Sequence, residues 1–274
     1  MTLRWALCGA TAGALLALLA FVPASWMARE LADASAGRLL LADAQGTVWR
    51  GHAVLVLTGG ADSRDAAALP GRLHWRFSWH GGAPALRLEQ ACCFDRPVLL
   101  RWRPGLAVTR VELLPLPVEA STSAPTAAGA VANAIGHWPV AWLAGLGAPL
   151  NTLRLSGSMQ LSGQDLSLQI VQSRLVLGGR AELALNQVAS RISTLDVLGD
   201  YHLSLQGDPQ SQAATLQLRT ARGALQLSGE GQWAASKLRF NGQAAAAPGF
   251  EPALNNLLNI IGRRQGALSL ISIG

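Results

Sequence analysis

Lysine is nearly missing from this sequence: Lys237 is the only one, so the formal charge of +6 rests on arginine. The arginines stand singly along the chain, with short pairs only at Arg101/Arg103 and Arg263/Arg264. Nucleic-acid binding calls for a clustered basic stripe, and none is present, so nucleic acid is not expected as a partner. Cysteine is scarce as well, at Cys8, Cys92 and Cys93. That set supplies no disulfide framework. Neighbouring Cβ atoms in a strand point to opposite faces, so an adjacent pair rarely bonds, and all three read as small hydrophobes. The fold must then be held by its core, and a sequence that is 50% hydrophobic and only 14% charged can supply one and is not disordered.

Chemistry is equally hard to find. The histidines, His52, His74, His80, His137 and His202, have no H-E-x-x-H spacing and no cysteine pair at metal-site distance. His74 and His80 fall on the polar face of one strand, where a solvated role suffices. No G-x-S-x-G occurs, and "GLGAPL" lacks the third glycine and the strand-to-helix setting of a dinucleotide loop. Carboxylates such as Glu89, Asp95, Glu112 and Asp165 are each isolated, so no acid/base pair can be assigned. The expectation is a non-enzymatic protein with no cofactor, no metal and no small-molecule substrate.

The N-terminus is informative. Trp5 to Val22 is uncharged, preceded by Arg4 and closed by Pro23, Trp26 and Arg29. At about 1.5 Å per residue, a helix of that length just spans a hydrocarbon core of roughly 30 Å. A cleavable signal peptide is the competing reading, but its best cleavage site, Val22-Pro23-Ala24, is poor. Residues 1–28 are therefore expected to be a short cytoplasmic end and a transmembrane anchor, with the rest exported. Within the exported part, "EASTSAPTAAGA" at 119–130 reads as a linker or long loop between regions 29–118 and 131–274.

Both regions alternate. In "RLHWRFSWH", Leu73, Trp75, Phe77 and Trp79 fall on one face and Arg72, His74, Arg76, Ser78 and His80 on the other. The same period recurs in "DLSLQI", "AELALN", "YHLSLQG", "ATLQLRT" and "ALQLSG", punctuated by Gly, Asp, Asn and Pro. The fold class is mainly β: roughly a dozen antiparallel strands of about 5 to 6 residues. Helices are few, one or two turns after Pro139 and a better one in "EPALNNLLNIIGRR", with Pro252 in its first turn and Gly262 to stop it. With so few helices to cover it, the sheet must close as a barrel or sandwich or curl into an open gutter. Trp75, Trp79 and Trp102 are expected in the core, and Trp26, Trp138 and Trp142 are candidates for a membrane surface.

Taken in order, the N-terminal anchor, "LLLADAQGTVWRGHAVL", "LPGRLHWRFSW", "LAGLGAPLNTLRLSGSMQLS", "FNGQAAAAPG" and "LNNLLNIIGRRQGALSLISIG" resemble the protein N component of the type II secretion system of Gram-negative bacteria. The resemblance implies a single-pass inner-membrane protein with a β-rich periplasmic body, accessory to a machine that exports folded proteins across the outer membrane. Its partners would be other secretion components and inner-membrane lipid. The β pattern also resembles AsmA-like periplasmic proteins, which implies a lipid-binding or lipid-transfer module as the alternative. No catalytic residues come with either resemblance. Gly46 to Leu57 is expected to be a turn and a long strand, with Trp49, Gly51, Ala53, Leu55 and Leu57 buried and Arg50 and His52 on the other face. Trp49, Arg50 and Arg76 are the candidate interaction residues.

Overall fold

The computed structural model describes Gly13 and residues 19–105, 108–115, 134–171, 174–208, 210, 212–234 and 237–274. The linker 119–130 and most of the Trp5–Val22 run lie outside the described residues. No helix among the described residues is long and apolar enough to cross a membrane.

The alternating segments form sixteen strands of one antiparallel sheet. In the first half these are β1 (Leu39–Gly46), β2 (Arg50–Thr58), β3 (Ala66–Ala68), β4 (Leu73–His80), β5 (Ala83–Glu89), β6 (Val98–Arg103), β7 (Val108–Pro115) and β8 (Ala134–Pro139). There follow β9 (Leu155–Val171), β10 (Arg174–Ser190), β11 (Gly199–Asp208), β12 (Ala213–Gly223), β13 (Leu225–Ala234), β14 (Lys237–Ala246), β15 (Arg263–Gln265) and β16 (Leu268–Ile273). Neighbours in sequence pair almost throughout, in the order β1-β2-β4-β5-β6-β7-β9-β10-β11-β12-β13-β14-β16-β15. Among the described residues β1 and β15 end the sheet without meeting, so of the two architectures expected it is the open one. The strands outnumber the expected dozen because very short pieces, such as β3, sit beside the 17-residue β9 and β10.

The long β9 unites the two regions. Its second half pairs with β7, Val111 opposite Leu168, and its first half with β8, Trp138 opposite Met159. The β9–β10 ladder slips at Gly178/Arg180 and again at Asn186/Ala189. Gly179 and Gln187 take positive φ there, and such bulges bend and twist a sheet. The second slip is held by Asp200, whose Oδ1 accepts the Gln187 N–H at 2.6 Å. Its Oδ2 accepts from the Arg222 guanidinium.

One face of the sheet is apolar from β2 to β16, and the helices cover only part of it. Helix α1 (Ala24–Ala34) starts directly after Pro23 and lays Ala24, Met27, Ala28 and Leu31, at helical spacing, against Leu41, Ala53 and Trp75. A 3₁₀ helix, Val140–Leu146, and the short α2 (Leu150–Leu153) fill the middle. At the far side α3 (Glu251–Ile261) buries Leu254, Leu257 and Leu258 and leaves Glu251, Asn255 and Asn259 in water. Pro252 in the first turn and Gly262 at the C-cap bound this helix where the sequence placed them. The cover gathers over the strand ends that hold Leu73, Glu89, Val98, Leu155, Gly199 and Ala246. The opposite rim, where β4 ends at His80 and β6 at Arg103, keeps its apolar face bare.

Several expectations are corrected here. Trp79 and Trp102 are not core residues: they stand on that bare rim, 74% and 50% exposed. Trp138 is buried, edge-on to Phe94 at 5.9 Å, and Trp142 donates its indole N–H to the Ala67 carbonyl, so neither is a surface belt residue. Alternation gives the face of a side chain but not whether anything covers it. Cys92 and Cys93 are joined in a disulfide. They lie in a turn, where the alternation of a strand does not apply.

Candidate functional site

The hairpin between β1 and β2 sets the local geometry. Gly46 turns the chain at φ 90, the Thr47 N–H donates to the Arg50 carbonyl at 2.9 Å, and β2 begins. Gly51 is required where it is, because a Cβ there would meet the Trp75 ring and the Gln45 carbonyl oxygen at 2.5 Å each. Trp75 thereby lies flat across β2, 2% exposed, its indole N–H donating to the Thr47 carbonyl at 3.1 Å. Gly51, Ala53 and Leu57 are buried as expected and Leu55 is half-buried. Trp49 is not buried: it is 36% exposed, edge-on to Phe77 at 5.2 Å, with its N–H donating to the Leu19 carbonyl at 2.8 Å. It sits where the strand has only just begun, so the sheet does not cover it.

On the opposite, polar face the register assembles a cationic row. Arg50 on β2 stands directly opposite Arg76 on β4, and Arg76 opposite Arg87 on β5. The next row runs His52, His74, Glu89, with the two imidazoles 5.3 Å apart. These side chains, with Ser78 and His80, line a hollow of about 760 Å³. Like charges opposite one another destabilise a sheet. Elsewhere on this face they are neutralised: Glu89 pairs Arg87, and Glu112 pairs both Arg101 and Arg103. Arg50 and Arg76 have no acidic partner among the described residues. Two of the three candidate interaction residues, Arg50 and Arg76, are thus brought together, and Trp49 lies beside them at the mouth of the hairpin.

Across the sheet a second hollow of about 400 Å³ differs in kind. Its Arg180 donates to Gln206 at 3.0 Å and its Arg219 to Gln217 at 2.6 Å, so each guanidinium already has an acceptor. No group of three His, Cys, Asp or Glu among the described residues is placed to hold a metal ion.

The architecture and the motifs converge on one comparison: the family model described as type II secretion system (T2SS), protein N, matches residues 37–270. The chain belongs to the protein N family. The match runs from the start of β1 into β16 and so takes in the whole sheet, the cationic row included. No curated protein and no solved structure matches the chain. Membership marks this protein N chain as a component of the type II secretion apparatus. Sequence reasoning on this member of the family missed Arg87 and its Glu89 partner, and it treated His74 as merely solvated. The alternation puts His74 on the polar face, but only the cross-strand register lines it up with Glu89 and sets Arg87 beside Arg76.

Proposed function

We propose that the chain is a single-span inner-membrane accessory component of the type II secretion system, with its sheet in the periplasm, working through contacts and not catalysis. The family match over residues 37–270 carries this reading. The uncharged run Trp5–Val22 supports the anchor. So does the way that run's end is docked: the Val48 N–H donates to the Val22 carbonyl and the Trp49 indole to the Leu19 carbonyl, which ties the run to the β1–β2 hairpin. The lipid-transfer alternative needs an apolar hollow for acyl chains. The two hollows described above are lined chiefly by Arg, His, Gln and Ser, which gives that reading no support.

Photo-crosslinkers at exposed apolar positions of the helix-covered end, Val197 and Ile260, test the assembly role in cells. Adducts with other secretion proteins are expected, together with loss of substrate export when the gene is deleted. Export that survives deletion, with no protein adduct from either position, overturns the reading.

A further inference from the structure

We propose that the rim of the sheet beside the anchor is a membrane-facing surface, and that Arg50 and Arg76 bind the phosphate of an anionic phospholipid headgroup. The inference rests on the reading of Trp5–Val22 as a membrane anchor, and three observations on the body point the same way. The first is electrostatic. Arg50, Arg76 and Arg87 are stacked across three strands against the ordinary preference of a sheet, around one hollow, with a single carboxylate among them bonded to Arg87. Two guanidiniums on facing positions, with no acceptor among the described residues, offer the forked donors that match phosphate oxygens.

The second observation is position. Arg50 follows Trp49, which holds the Leu19 carbonyl, so the cationic row lies beside the point where the apolar run leaves the body. The third is the character of the rim. Trp79, Trp102 and Ile170 are exposed at the strand ends on this side, and Phe21 of the run itself is 76% exposed. Indole rings that are apolar in body and polar at one edge suit the level of the headgroups. Apolar tips, arginines and anchor exit thus share one end of the molecule, where α1 begins at Pro23, while the 3₁₀ helix, α2 and α3 lie over the other.

The test uses the full chain in nanodiscs of equimolar phosphatidylcholine and phosphatidylglycerol, with lipid retained on release counted by native mass spectrometry. At an attraction typical of arginines near an anionic surface, two of them give roughly 30-fold enrichment of phosphatidylglycerol. Arg50→Gln/Arg76→Gln is expected to abolish it, Arg50→Lys/Arg76→Lys to retain most of it, and Arg219→Gln to leave it unchanged. Both arginines are exposed and have no partner among the described residues, so the double glutamine variant should melt as the wild type does. Equal enrichment in that variant overturns the site. Displacement of the lipid by inorganic phosphate alone makes it a free-anion site, and displacement by polyglutamate makes it a protein-contact surface; either overturns the lipid assignment. Alkaline carbonate extraction of wild-type membranes reads the anchor separately. A chain that washes out refutes the anchor, whereas a chain that stays without enrichment refutes the headgroup site alone.

Discussion

Two tryptophans on neighbouring strands show what decides a residue's weight. Trp75 and Trp49 both belong to the apolar face by alternation, yet Trp75 is enclosed by Gly51 and α1 while Trp49 rests at a strand's first turn. Trp75→Ala is expected to cost about 3–5 kcal/mol. Trp49→Ala removes one edge-on ring contact and one hydrogen bond, about 1–2 kcal/mol; chemical denaturation of the two variants gives the comparison, and equal losses would contradict the packing described. Asp200 carries a different kind of weight. The Gln187 amide and, after it, the Arg222 guanidinium hold its carboxyl below the ordinary carboxylate range. A pKa lowered by folding adds stability above the unfolded value, and that stability drains away as the pH falls through the folded one. Wild-type denaturation midpoints should therefore fall below the ordinary carboxylate range of about 4, while Asp200→Asn should be weaker at neutral pH and flatter in acid. A variant as acid-sensitive as the wild type would place the linkage elsewhere.

Helices follow their local signals as far as those signals are read at the right place. The α3 segment has Pro252, a spaced Leu254/Leu257/Leu258 face and Gly262, and it forms between those limits. Helix α1 carries an equally plain spacing in Ala24, Met27, Ala28 and Leu31, but its first residues follow directly on the apolar run, which in the sequence extends the anchor to residue 28. Pro23 separates the two, since no helix passes easily through it. The caps over the sheet are few, so each matters: Leu257→Ala leaves a void in the buried cluster that also holds Ala244 and Leu225 and is expected to cost about 2–5 kcal/mol, measured as a shift in the urea midpoint.

For the molecule as a whole, continuity is the main result. The chain leaves the flank of β9 at Pro115 and rejoins it at Ala134; extending the β7 register puts Pro115 close to Gln164, and Ala134 pairs with Ser162. The departure and return are thus within about two residues of each other along β9, roughly 7 Å at strand spacing. Deleting residues 119–130 should leave one cooperative melt within a few degrees of the wild type, because shortening a loop changes its closure entropy by only about 1 kcal/mol. Two transitions, or a collapse of the melt, would mean that this stretch contributes to holding the two regions together.

The class of structure is legible from residue order alone, because a period of two in side-chain polarity can be satisfied only by strands with one face in the core. Residue order also located the α3 boundaries, the face on which each of Trp75, Arg76 and Arg50 would lie, and the family that the match over residues 37–270 shows. What it left open were properties that depend on neighbours distant in the chain. Whether a sheet this long closes, whether Trp79 is covered or bare, and whether three lone arginines 11 to 37 positions apart meet in one row are decided by register between strands. Register and cover are collective: they are set by bulges, hairpins and helix placement together, and no single strand encodes them.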